Sequence, residues 1–285
     1  MTRPRMTRPE IPCACTIAGS DSGGGAGIQA DIKTFTALGV WGCTVVTAVT
    51  AQNTLDVCAS LAVDMHTLSL QMEAVFQDFA ITAVKTGMLP DAATIMTVAE
   101  HLPEDVSLVL DPVMVATSGR RLSSLESRSA LCELLIPRAR LVTPNIPELC
   151  ALTGRECGTP AGVHDITSIA EMTDAGRELL AMGAEAVLIK GGHLTANKET
   201  SPDVFLSADE CFVIDGPRYP YDVHGSGCCL AAAITAYLVR GETLPDACRK
   251  GKVFVTDAIR DAMPALSGRR MVNPGGFVGG AVFRK

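Results

Sequence analysis

Hydrophobic residues along the chain follow two different spacings. Residues 13–18 and 43–49 are short, mostly apolar runs, which are typical of buried strands. Between them, apolar residues at positions 28, 32, 35 and 38 recur with the spacing of one helix face. Strand and helix therefore alternate from the start of the chain, and this alternation predicts a parallel sheet covered by helices on both faces.

The same alternation continues along the rest of the chain. The spacing predicts further strands at 83–86, 108–110, 140–142 and 186–189, and further helices at 65–79, 91–101, 124–135, 146–152, 169–182, 231–240 and 244–263. Residues 204–206 and 212–214 predict a hairpin, which adds a small antiparallel edge to the mostly parallel sheet. We expect one α/β domain at 13–267, a disordered N-terminal tail at 1–12 and a loosely ordered C-terminal tail at 268–285.

Composition and charge narrow the classes of function. Hydrophobic residues make up 47% of the 285 residues, which is enough for a sizeable core, and the formal net charge is -7. An acidic chain without basic runs is a poor binder of nucleic acid or anionic membranes. No apolar run reaches the ~20 residues that span a bilayer, and the basic N-terminus lacks the apolar core of a secretion signal. The 11 cysteines are an odd number without the spacing of a disulfide framework. Together with the acidic charge and the lack of an apolar spanning run, this pattern predicts a cytoplasmic protein that binds small molecules.

A glycine-rich turn leads into an apolar helix late in the chain. Gly225 and Gly227 flank Ser226, and the small apolar residues that follow predict a buried helix whose first N–H groups have no acceptor within the helix. Such a helix N-terminus binds anions, so it would stabilise a phosphate or a developing negative charge. Cys228 stands at this point, where the helix dipole favours a thiolate that can act as a base or a nucleophile. The alternative is a loop that only connects to a buried helix.

A second glycine-rich loop, residues 19–27, follows the first predicted strand. Residues 25–30 formally match the dinucleotide fingerprint, but the match does not begin on the strand. The next strand ends in Gln52 and Asn53, without the acidic residue that binds a ribose. No Gly-x-x-x-x-Gly-Lys-Ser/Thr stretch occurs either. Neither a dinucleotide site nor a Walker-type ATP site is therefore expected.

Ligands of parallel sheets bind at the carboxyl ends of the strands. That rule brings several polar positions to one edge of the sheet: the 19–27 loop, Gln52, Asp111, Asn145, Lys190 and the 225–228 turn. Gln52 offers a donor and an acceptor that match a planar heterocycle with ring nitrogens and an amino group, although an amide that stabilises a loop fits equally well. Lys190 ends an apolar strand, where a phosphate or an acidic partner would offset the cost of burying its charge. Lys252 is expected to lie on a helix with its charge in solvent.

Asn145 and Glu148 allow two interpretations. Asn145 can cap a helix, with Glu148 as the third residue of a capping box. The same carboxylate, close to a strand end, can instead orient water on Mg²⁺ together with Asp111, because Mg²⁺ at phosphoryl-transfer sites takes few protein carboxylates. Asp111 can instead be a residue that favours a turn before Pro112. The residues alone leave both interpretations open.

Short motifs occur in a fixed order at the predicted strand ends. They are Ile17-Ala-Gly-Ser-Asp21, Gly24-Gly-Ala-Gly-Ile-Gln-Ala-Asp31, Thr50-Ala-Gln-Asn-Thr54, Val84-Lys-Thr-Gly-Met88, Leu110-Asp-Pro-Val-Met-Val115, Thr143-Pro-Asn145, Ile189-Lys-Gly-Gly-His193 and His224-Gly-Ser-Gly-Cys228. In order and spacing, the set resembles the hydroxymethylpyrimidine/phosphomethylpyrimidine kinases of thiamine biosynthesis, which belong to the ribokinase-like superfamily. The resemblance covers residues 13–262.

The resemblance implies a ribokinase-like fold and a reaction. That reaction is the ATP- and Mg²⁺-dependent phosphorylation of 4-amino-5-hydroxymethyl-2-methylpyrimidine, and then of its monophosphate to the diphosphate. By motif, it implies an anion hole of Gly225, Ser226 and Gly227 with Cys228 as base, a pyrimidine site of Gln52, Gly19, Asp21, Met88 and Val115, ATP contacts from Asp111, Asn145, Lys190 and Lys252, and Mg²⁺ contacts from Glu148 and Asp111. It also implies a homodimer.

The chain departs from the family pattern at a few positions. Cys229 stands where the family usually has threonine, Ser226 replaces the commoner threonine, and the tail after Ala265 lacks the usual ending. Two other functions stay open: a pyridoxal kinase of the same superfamily, and a non-catalytic sensor of thiamine precursors. The pyridoxal kinases most similar to this family carry an additional cysteine after the position of Asp111, suited to capturing an aldehyde, and Ala116 and its neighbours supply none.

Overall fold

The computed structural model describes residues 11–114, 124–155, 166–194 and 199–276. The strands of its main sheet are β1 (Cys13–Asp21), β2 (Trp41–Gln52), β3 (Val57–Ala62), β4 (Ile81–Thr86), β5 (Ser107–Leu110), β6 (Ala139–Val142), β7 (Ala186–Ile189), β8 (Asp203–Ser207) and β9 (Cys211–Ile214). Across the sheet, their order is β3-β2-β1-β4-β5-β6-β7-β8-β9. Strands β2, β1, β4, β5, β6 and β7 are parallel, while β3, β8 and β9 pair antiparallel with their neighbours. The predicted α/β sheet and its edge hairpin are confirmed.

Eight α-helices in the described ranges connect and cover these strands. They are α1 (Gly27–Ala37), α2 (Met65–Asp78), α3 (Ala92–His101), α4 (Leu125–Ala130), α5 (Ile146–Thr153), α6 (Ile169–Ala181), α7 (Ser226–Val239) and α8 (Leu244–Arg260). The helix predicted at 124–135 is regular only in its first part, since α4 continues as a π-helical turn over Leu131–Leu135. Within the part of the chain that the structure describes, no helix has both the length and the hydrophobicity to cross a membrane.

Alternate strand residues supply two separate cores, one on each face of the sheet. In β5, Leu108 and Leu110 pack with residues of α2, α3, α5 and α6. Val109, which lies between them, packs with residues of α1, α7 and α8. Each face therefore buries its own helix layer, as expected for a parallel sheet. In α7, every residue from 229 to 236 is buried, and its alanine-rich composition lets the neighbouring elements approach closely.

Strand β3 is an element that the hydrophobic pattern does not predict. Only Val57 of this strand is buried, so the usual alternation of apolar and polar residues is absent. The strand pairs antiparallel with the end of β2, where Gln52 lies opposite Val57. Between them, Asn53 Oδ1 accepts the N–H groups of Leu55 and Asp56 at 2.8 and 3.0 Å and so forms the turn. Gln52 therefore ends a strand, as predicted, and is held by a hairpin.

A small second sheet joins distant parts of the chain. It contains β10 (Val223–His224), β11 (Met263–Pro264) and β12 (Arg270–Met271). Strand β12 pairs parallel with β10 and antiparallel with β11. Val272 is buried, and its N–H donates to the His224 carbonyl at 3.0 Å. The packed part of the chain thus extends beyond the predicted boundary at 267. Residues 1–10 and 277–285 lie outside the described ranges, so the expected tails stay predictions there.

Candidate active site

The N-terminus of α7 lies against the first glycine-rich loop. Gly225, which precedes the helix, has a φ of +84°, and a Cβ at this position would collide with the carbonyl oxygen of Gly25. Only glycine fits both the left-handed backbone and the close approach. The Cys229 N–H donates to the Gly225 carbonyl at 3.0 Å and closes the first turn. The N–H groups at 226–228 precede this bond and have no acceptor within the helix, as expected for an anion site.

Lys190 joins two carboxylates next to this helix terminus. Its Nζ lies 2.8 Å from Asp111 Oδ1 and 3.7 Å from Glu148 Oε2. A Cβ built on Gly227 would lie 3.2 Å from Lys190 Nζ and 4.0 Å from Asp111 Oδ2, so the cluster faces the first turn of α7. Positions that follow β5, β6 and β7 therefore meet at the predicted anion site.

Burial and charge act against each other in this cluster. Burial would lower the pKa of Lys190, but the carboxylates of Asp111 and Glu148 outweigh it and raise that pKa above its usual value. Burial raises the pKa of Glu148 to about 7, while Lys190 opposes this rise and Asp111 adds to it. Lys190 is therefore a cation, and Glu148 is divided between its two protonation states near neutral pH.

Asn145 and Glu148 form a complete capping box. Asn145 Oδ1 accepts the Glu148 N–H at 2.8 Å, and Glu148 Oε2 accepts the Asn145 N–H at 2.8 Å. The same Oε2 atom lies 3.7 Å from Lys190 Nζ. The capping interpretation and the charge-cluster interpretation are thus compatible, because one carboxylate makes both sets of contacts.

Asp111 has one oxygen that can bind a cation. Its Oδ1 accepts from Lys190 and from the Thr143 hydroxyl, the latter at 3.2 Å. Its Oδ2 is buried and has no hydrogen-bond partner among the described residues. A buried oxygen without a partner is costly, and a bound cation would remove that cost. The described ranges contain no group of three or more metal-binding side chains. Two carboxylates, Asp111 and Glu148, nevertheless fit Mg²⁺, which relies largely on phosphates and water.

Cys228 lies in the first turn of α7. The helix N-terminus predicts a favoured thiolate, but burial dominates and raises the pKa of Cys228 to about 11. The ammonium of Lys85 and the N–H of Gly27 oppose this rise without cancelling it. Cys228 is therefore a thiol at neutral pH in the ligand-free protein, contrary to the prediction. Cys229 is fully buried, with its Sγ 3.5 Å from the Thr34 hydroxyl.

A buried ion pair that the sequence interpretation missed lies within electrostatic range of Cys228. Lys85 Nζ is 2.9 Å from Asp31 Oδ2, and neither side chain is exposed. Burial lowers the pKa of Lys85, but Asp31 and then Cys228 outweigh it, so the ammonium is kept. A charged residue within the apolar strand β4 was the available signal, because the reasoning that singled out Lys190 applies equally to Lys85.

The predicted pyrimidine residues lie beside the 19–27 loop. Gly19 touches the end of the Met88 side chain, which occupies the place of a Cβ at this glycine. His224 connects Gln52 and Asp21: its Nε2 is 3.1 Å from Gln52 Nε2 and 3.2 Å from Asp21 Oδ2. The sequence interpretation gave His224 no role of its own. Its place directly before the 225–228 turn was the only signal.

Lys252 is buried and is not a solvated helix charge. Its Nζ lies 2.9 Å from Asp203 Oδ2, and Asp203 Oδ1 accepts the Gly191 N–H at 3.0 Å. Lys252 therefore stabilises the turn after β7, and its contact with ATP stays a prediction. Val115 and Ala116 lie outside the described residues, so the predictions about them also stay untested.

Comparison with known proteins agrees with the resemblance in the motifs. Residues 21–273 match the family model of phosphomethylpyrimidine kinase. The chain is 46% identical over 250 residues to the hydroxymethylpyrimidine/phosphomethylpyrimidine kinase of Haemophilus influenzae, which covers 86% of this chain and 89% of that protein.

Two solved structures are also similar to this chain. The phosphomethylpyrimidine kinase of Clostridium difficile is 39% identical, with a TM-score of 0.74 over 87% of this chain and 99% of that one. The pyridoxal kinase of Staphylococcus aureus in complex with pyridoxal is 30% identical, with a TM-score of 0.83 over 95% of this chain and 96% of that one. The backbone is thus shared by both kinds of kinase, whereas the sequence identity is higher to the first. By its sequence, the chain belongs to the phosphomethylpyrimidine kinase family.

Proposed function

We propose that this kinase transfers the γ-phosphoryl group of ATP to 4-amino-5-hydroxymethyl-2-methylpyrimidine, and then phosphorylates the monophosphate to the diphosphate. One observation carries the proposal. The N-terminus of α7 faces Lys190 through Gly227 and contacts the 19–27 loop through Gly225, and that loop adjoins His224 and Gln52. A phosphoryl donor and a heterocyclic acceptor can therefore meet at one helix terminus. The names of the relatives support this assignment.

In this proposal, backbone N–H groups and Lys190 stabilise charge on the phosphoryl group, and Lys85 stabilises charge on Cys228. The N–H groups at 226–228 and the Lys190 ammonium stabilise negative charge on the transferred phosphoryl group, and such preorganised charges supply most of the catalysis in phosphoryl transfer. Cys228 acts as the base in its thiolate form, whose Sγ accepts the hydroxymethyl proton and becomes a thiol as the oxygen attacks. Burial raises the pKa of Cys228 and so makes the thiolate the minor form at neutral pH, while the Lys85 ammonium and the Gly27 N–H stabilise that thiolate.

We assign the Mg²⁺ site to Asp111 Oδ2 and Glu148, together with the phosphates of ATP. When bound, Mg²⁺ would neutralise phosphate charge. Asn145 holds Glu148 in position through the capping box, and Lys252 holds the turn that follows Lys190. This assignment gives the unpartnered oxygen of Asp111 a ligand.

Pyridoxal is the second candidate acceptor, because the backbone is more similar to that of the S. aureus pyridoxal kinase than to that of the C. difficile phosphomethylpyrimidine kinase. Both acceptors are flat rings with a hydroxymethyl group, so pocket size alone separates them weakly. Gln52 favours the aminopyrimidine, since its amide offers a paired donor and acceptor and a ring without the matching groups leaves them unpaired. The relatives are named kinases, which supports an enzyme over a non-catalytic sensor.

Competition between the two acceptors tests the substrate. With both at equal concentration and ATP and Mg²⁺ fixed, the products give the ratio of the two kcat/KM values directly. We expect the pyrimidine to be preferred by about tenfold or more, and Gln52→Leu to reduce this preference. The exposed Gln77→Leu is the matched control and should not change it. Equal use of both acceptors would overturn the substrate assignment, whereas no turnover of either would overturn the kinase assignment for this chain.

We also propose that the protein is a homodimer. Val49 and Leu61 lie opposite each other on β2 and β3 and are 53% and 74% exposed. The neighbouring pair Ala51 and Ala59 is exposed on the same strands, so an apolar sheet face is available for a second copy. Light scattering of the wild type and of Leu61→Asp tests this, and a monomeric wild type at micromolar concentration would contradict it.

A cytoplasmic location is the last part of the proposal. All cysteines in the described ranges are free thiols, which supports a reducing compartment. The net charge of -7 supports a small-molecule partner rather than nucleic acid or a membrane surface. Fractionation of cells that express the protein would test the location, and recovery in a membrane or secreted fraction would contradict it.

A further inference from the structure

His224 bridges the two side chains that end β1 and β2. Its Nε2 lies 3.2 Å from Asp21 Oδ2 and 3.1 Å from Gln52 Nε2, and its side chain is 13% exposed. The backbone of His224 pairs with Met271 on one side and is followed by Gly225, whose φ is +84°, on the other. The fold, rather than solvent, therefore fixes the position of the imidazole ring.

Asp21 determines which ring nitrogen carries a proton. Its Oδ1 accepts the Gly23 N–H at 2.8 Å, and its Oδ2 accepts those of Gly25 and Ala26 at 3.1 and 2.8 Å. Burial raises the pKa of Asp21, but the hydrogen bonds from His224 and from the Ala26 and Gly23 N–H groups outweigh it and lower that pKa. Asp21 is thus a carboxylate, which can only accept hydrogen bonds, so the His224 Nε2 that faces it carries a hydrogen.

A hydrogen on Nε2 restricts the orientation of the Gln52 amide. With the amide nitrogen facing His224, two donors meet. Gln52 Oε1 then lies 3.3 Å from the Thr50 hydroxyl, which already donates its hydrogen to the Ser20 carbonyl at 2.8 Å. A half-turn of the amide removes both conflicts, because Oε1 then shares the single Nε2 hydrogen of His224 with Asp21 Oδ2, and the amide nitrogen donates to Thr50 Oγ1.

We propose that His224 and Thr50 hold the Gln52 amide in this half-turned orientation, which makes His224 a positioning residue for acceptor specificity. One amide hydrogen and one carbonyl lone pair of Gln52 stay available to the acceptor. They match a ring nitrogen next to an amino group. A ring with a carbonyl oxygen in place of that amino group brings two acceptors together. The inference rests on the proposed function, since that function has the Gln52 amide form hydrogen bonds with the acceptor ring.

The tautomer can be measured without any turnover. Nitrogen-15 NMR of the imidazole ring in the ligand-free protein should show hydrogen on Nε2 of His224. The side-chain amide resonances of Gln52 should shift in His224→Leu and not in His101→Leu, because His101 contacts Thr97 in α3. The inference would be overturned if the His224 ring carried hydrogen only on Nδ1, or if the Gln52 amide resonances did not shift in His224→Leu.

Kinetics test the effect on specificity. The readout is the ratio of kcat/KM for the 4-amino acceptor to that for its 4-oxo analogue. His224→Leu should lower this ratio by about tenfold, whereas His224→Gln, which keeps an N–H donor, should restore most of it. In a Gln52→Leu background, His224→Leu should change the ratio no further, because it acts through Gln52.

The outcomes separate the inference from the proposed function. An unchanged ratio in His224→Leu, or a second full loss of ratio in the Gln52→Leu background, would overturn the inference while wild-type activity upholds the function. A wild type that does not phosphorylate the pyrimidine would overturn the function, and the NMR measurements would still decide whether His224 orients Gln52.

Discussion

Lys85 Nζ lies 2.9 Å from Asp31 Oδ2, and both side chains are completely buried. The pair joins α1 to β4, and the Thr16 hydroxyl donates to the same Asp31 oxygen at 2.6 Å. Asp31 Oδ1 has no hydrogen-bond partner among the described residues. A buried ion pair contributes little net stability by itself, because desolvation opposes the Coulomb attraction. Its position near Cys228 therefore favours a role in setting the local charge.

Breaking this pair should destabilise the protein strongly. Asp31→Asn leaves the Lys85 ammonium buried without a carboxylate, so we expect a loss of about 3–5 kcal/mol in the free energy of unfolding. Lys85→Met in the same chain should recover a large part of that loss. Asp174→Asn is the control, because it breaks an ion pair with Arg177 whose side chains are 63% and 62% exposed, and it should cost at most about 0.5 kcal/mol. Urea unfolding measures the wild type and the three variants, and equal losses of stability in Asp31→Asn and Asp174→Asn would contradict the prediction.

Cys228, rather than Cys229, should be the residue that turnover requires. We expect Cys228→Ala to lower kcat by about a hundredfold or more, as loss of a general base does. Cys229→Ala should keep kcat and cost about 1 kcal/mol of stability, because its sulfur is buried in the core. The Thr34 hydroxyl keeps a partner in that variant, since it also donates to the Ala30 carbonyl at 2.8 Å. Steady-state kinetics and thermal unfolding separate the two effects, and equal small losses of kcat would exclude Cys228 as the base.

Glu148 should make stability depend on pH. Its pKa is about 7 in the folded protein and 4.5 as the unperturbed value, so the folded state binds the proton more tightly than the unfolded chain. The free energy of unfolding should therefore fall as pH rises from about 4.5 to about 7, by up to about 3 kcal/mol, and stay level above that range. Glu148→Gln should lack this part of the pH dependence. Urea unfolding without Mg²⁺ at several pH values tests it, and parallel profiles for the two proteins would refute it.

Mg²⁺ binding should respond to the same proton. A carboxylate ligand must be ionised, so the apparent Mg²⁺ affinity of the wild type should weaken by about tenfold per pH unit below 7. Glu148→Gln keeps the capping box, since an amide at this position can still accept from the Asn145 N–H. It should nevertheless raise the Mg²⁺ requirement and lose most of the pH dependence. Wild-type turnover and Mg²⁺ dependence in this variant would leave Glu148 only its capping role.

Local sequence signals predicted most of the fold, and they failed where burial was the missing information. The hairpin of β8 and β9 was predicted because apolar residues such as Phe205 and Phe212 are separated by a polar turn. Strand β3 was missed because all but Val57 of its residues are exposed, so its backbone pairing has no counterpart in the hydrophobic pattern. Lys252 was taken for a solvated charge because its partner, Asp203, lies far away in the sequence.

The site was predictable where chain order alone determines position. Asp111, Asn145 and Lys190 follow neighbouring parallel strands, and the strand-end rule brings them together without any side-chain information. The pair of Asp31 and Lys85 spans 54 positions, and no spacing rule connects a helix residue to a strand residue across that distance. The protonation of Cys228 was predicted wrongly, because a helix dipole can be inferred from sequence but the opposing desolvation cannot.

The last prediction concerns the glycine before α7. Gly225 and Gly241 both have left-handed backbones, with φ of +84° and +89°, so alanine at either position should cost about 1–2 kcal/mol in the free energy of unfolding. Their surroundings differ. A Cβ on Gly225 meets the Gly25 carbonyl oxygen, whereas a Cβ on Gly241 meets nothing within 4 Å.

Gly225→Ala must therefore push the 19–27 loop away from the N–H groups at 226–228, and it should lower kcat by roughly a hundredfold, as loss of a charge-stabilising donor does. Gly241→Ala should keep kcat while losing a similar amount of stability, so it controls for backbone strain. Steady-state kinetics at saturating substrates, with urea unfolding of the same preparations, measure both quantities. Equal kcat values in the two variants would show that the contact between Gly225 and Gly25 does not shape the anion site.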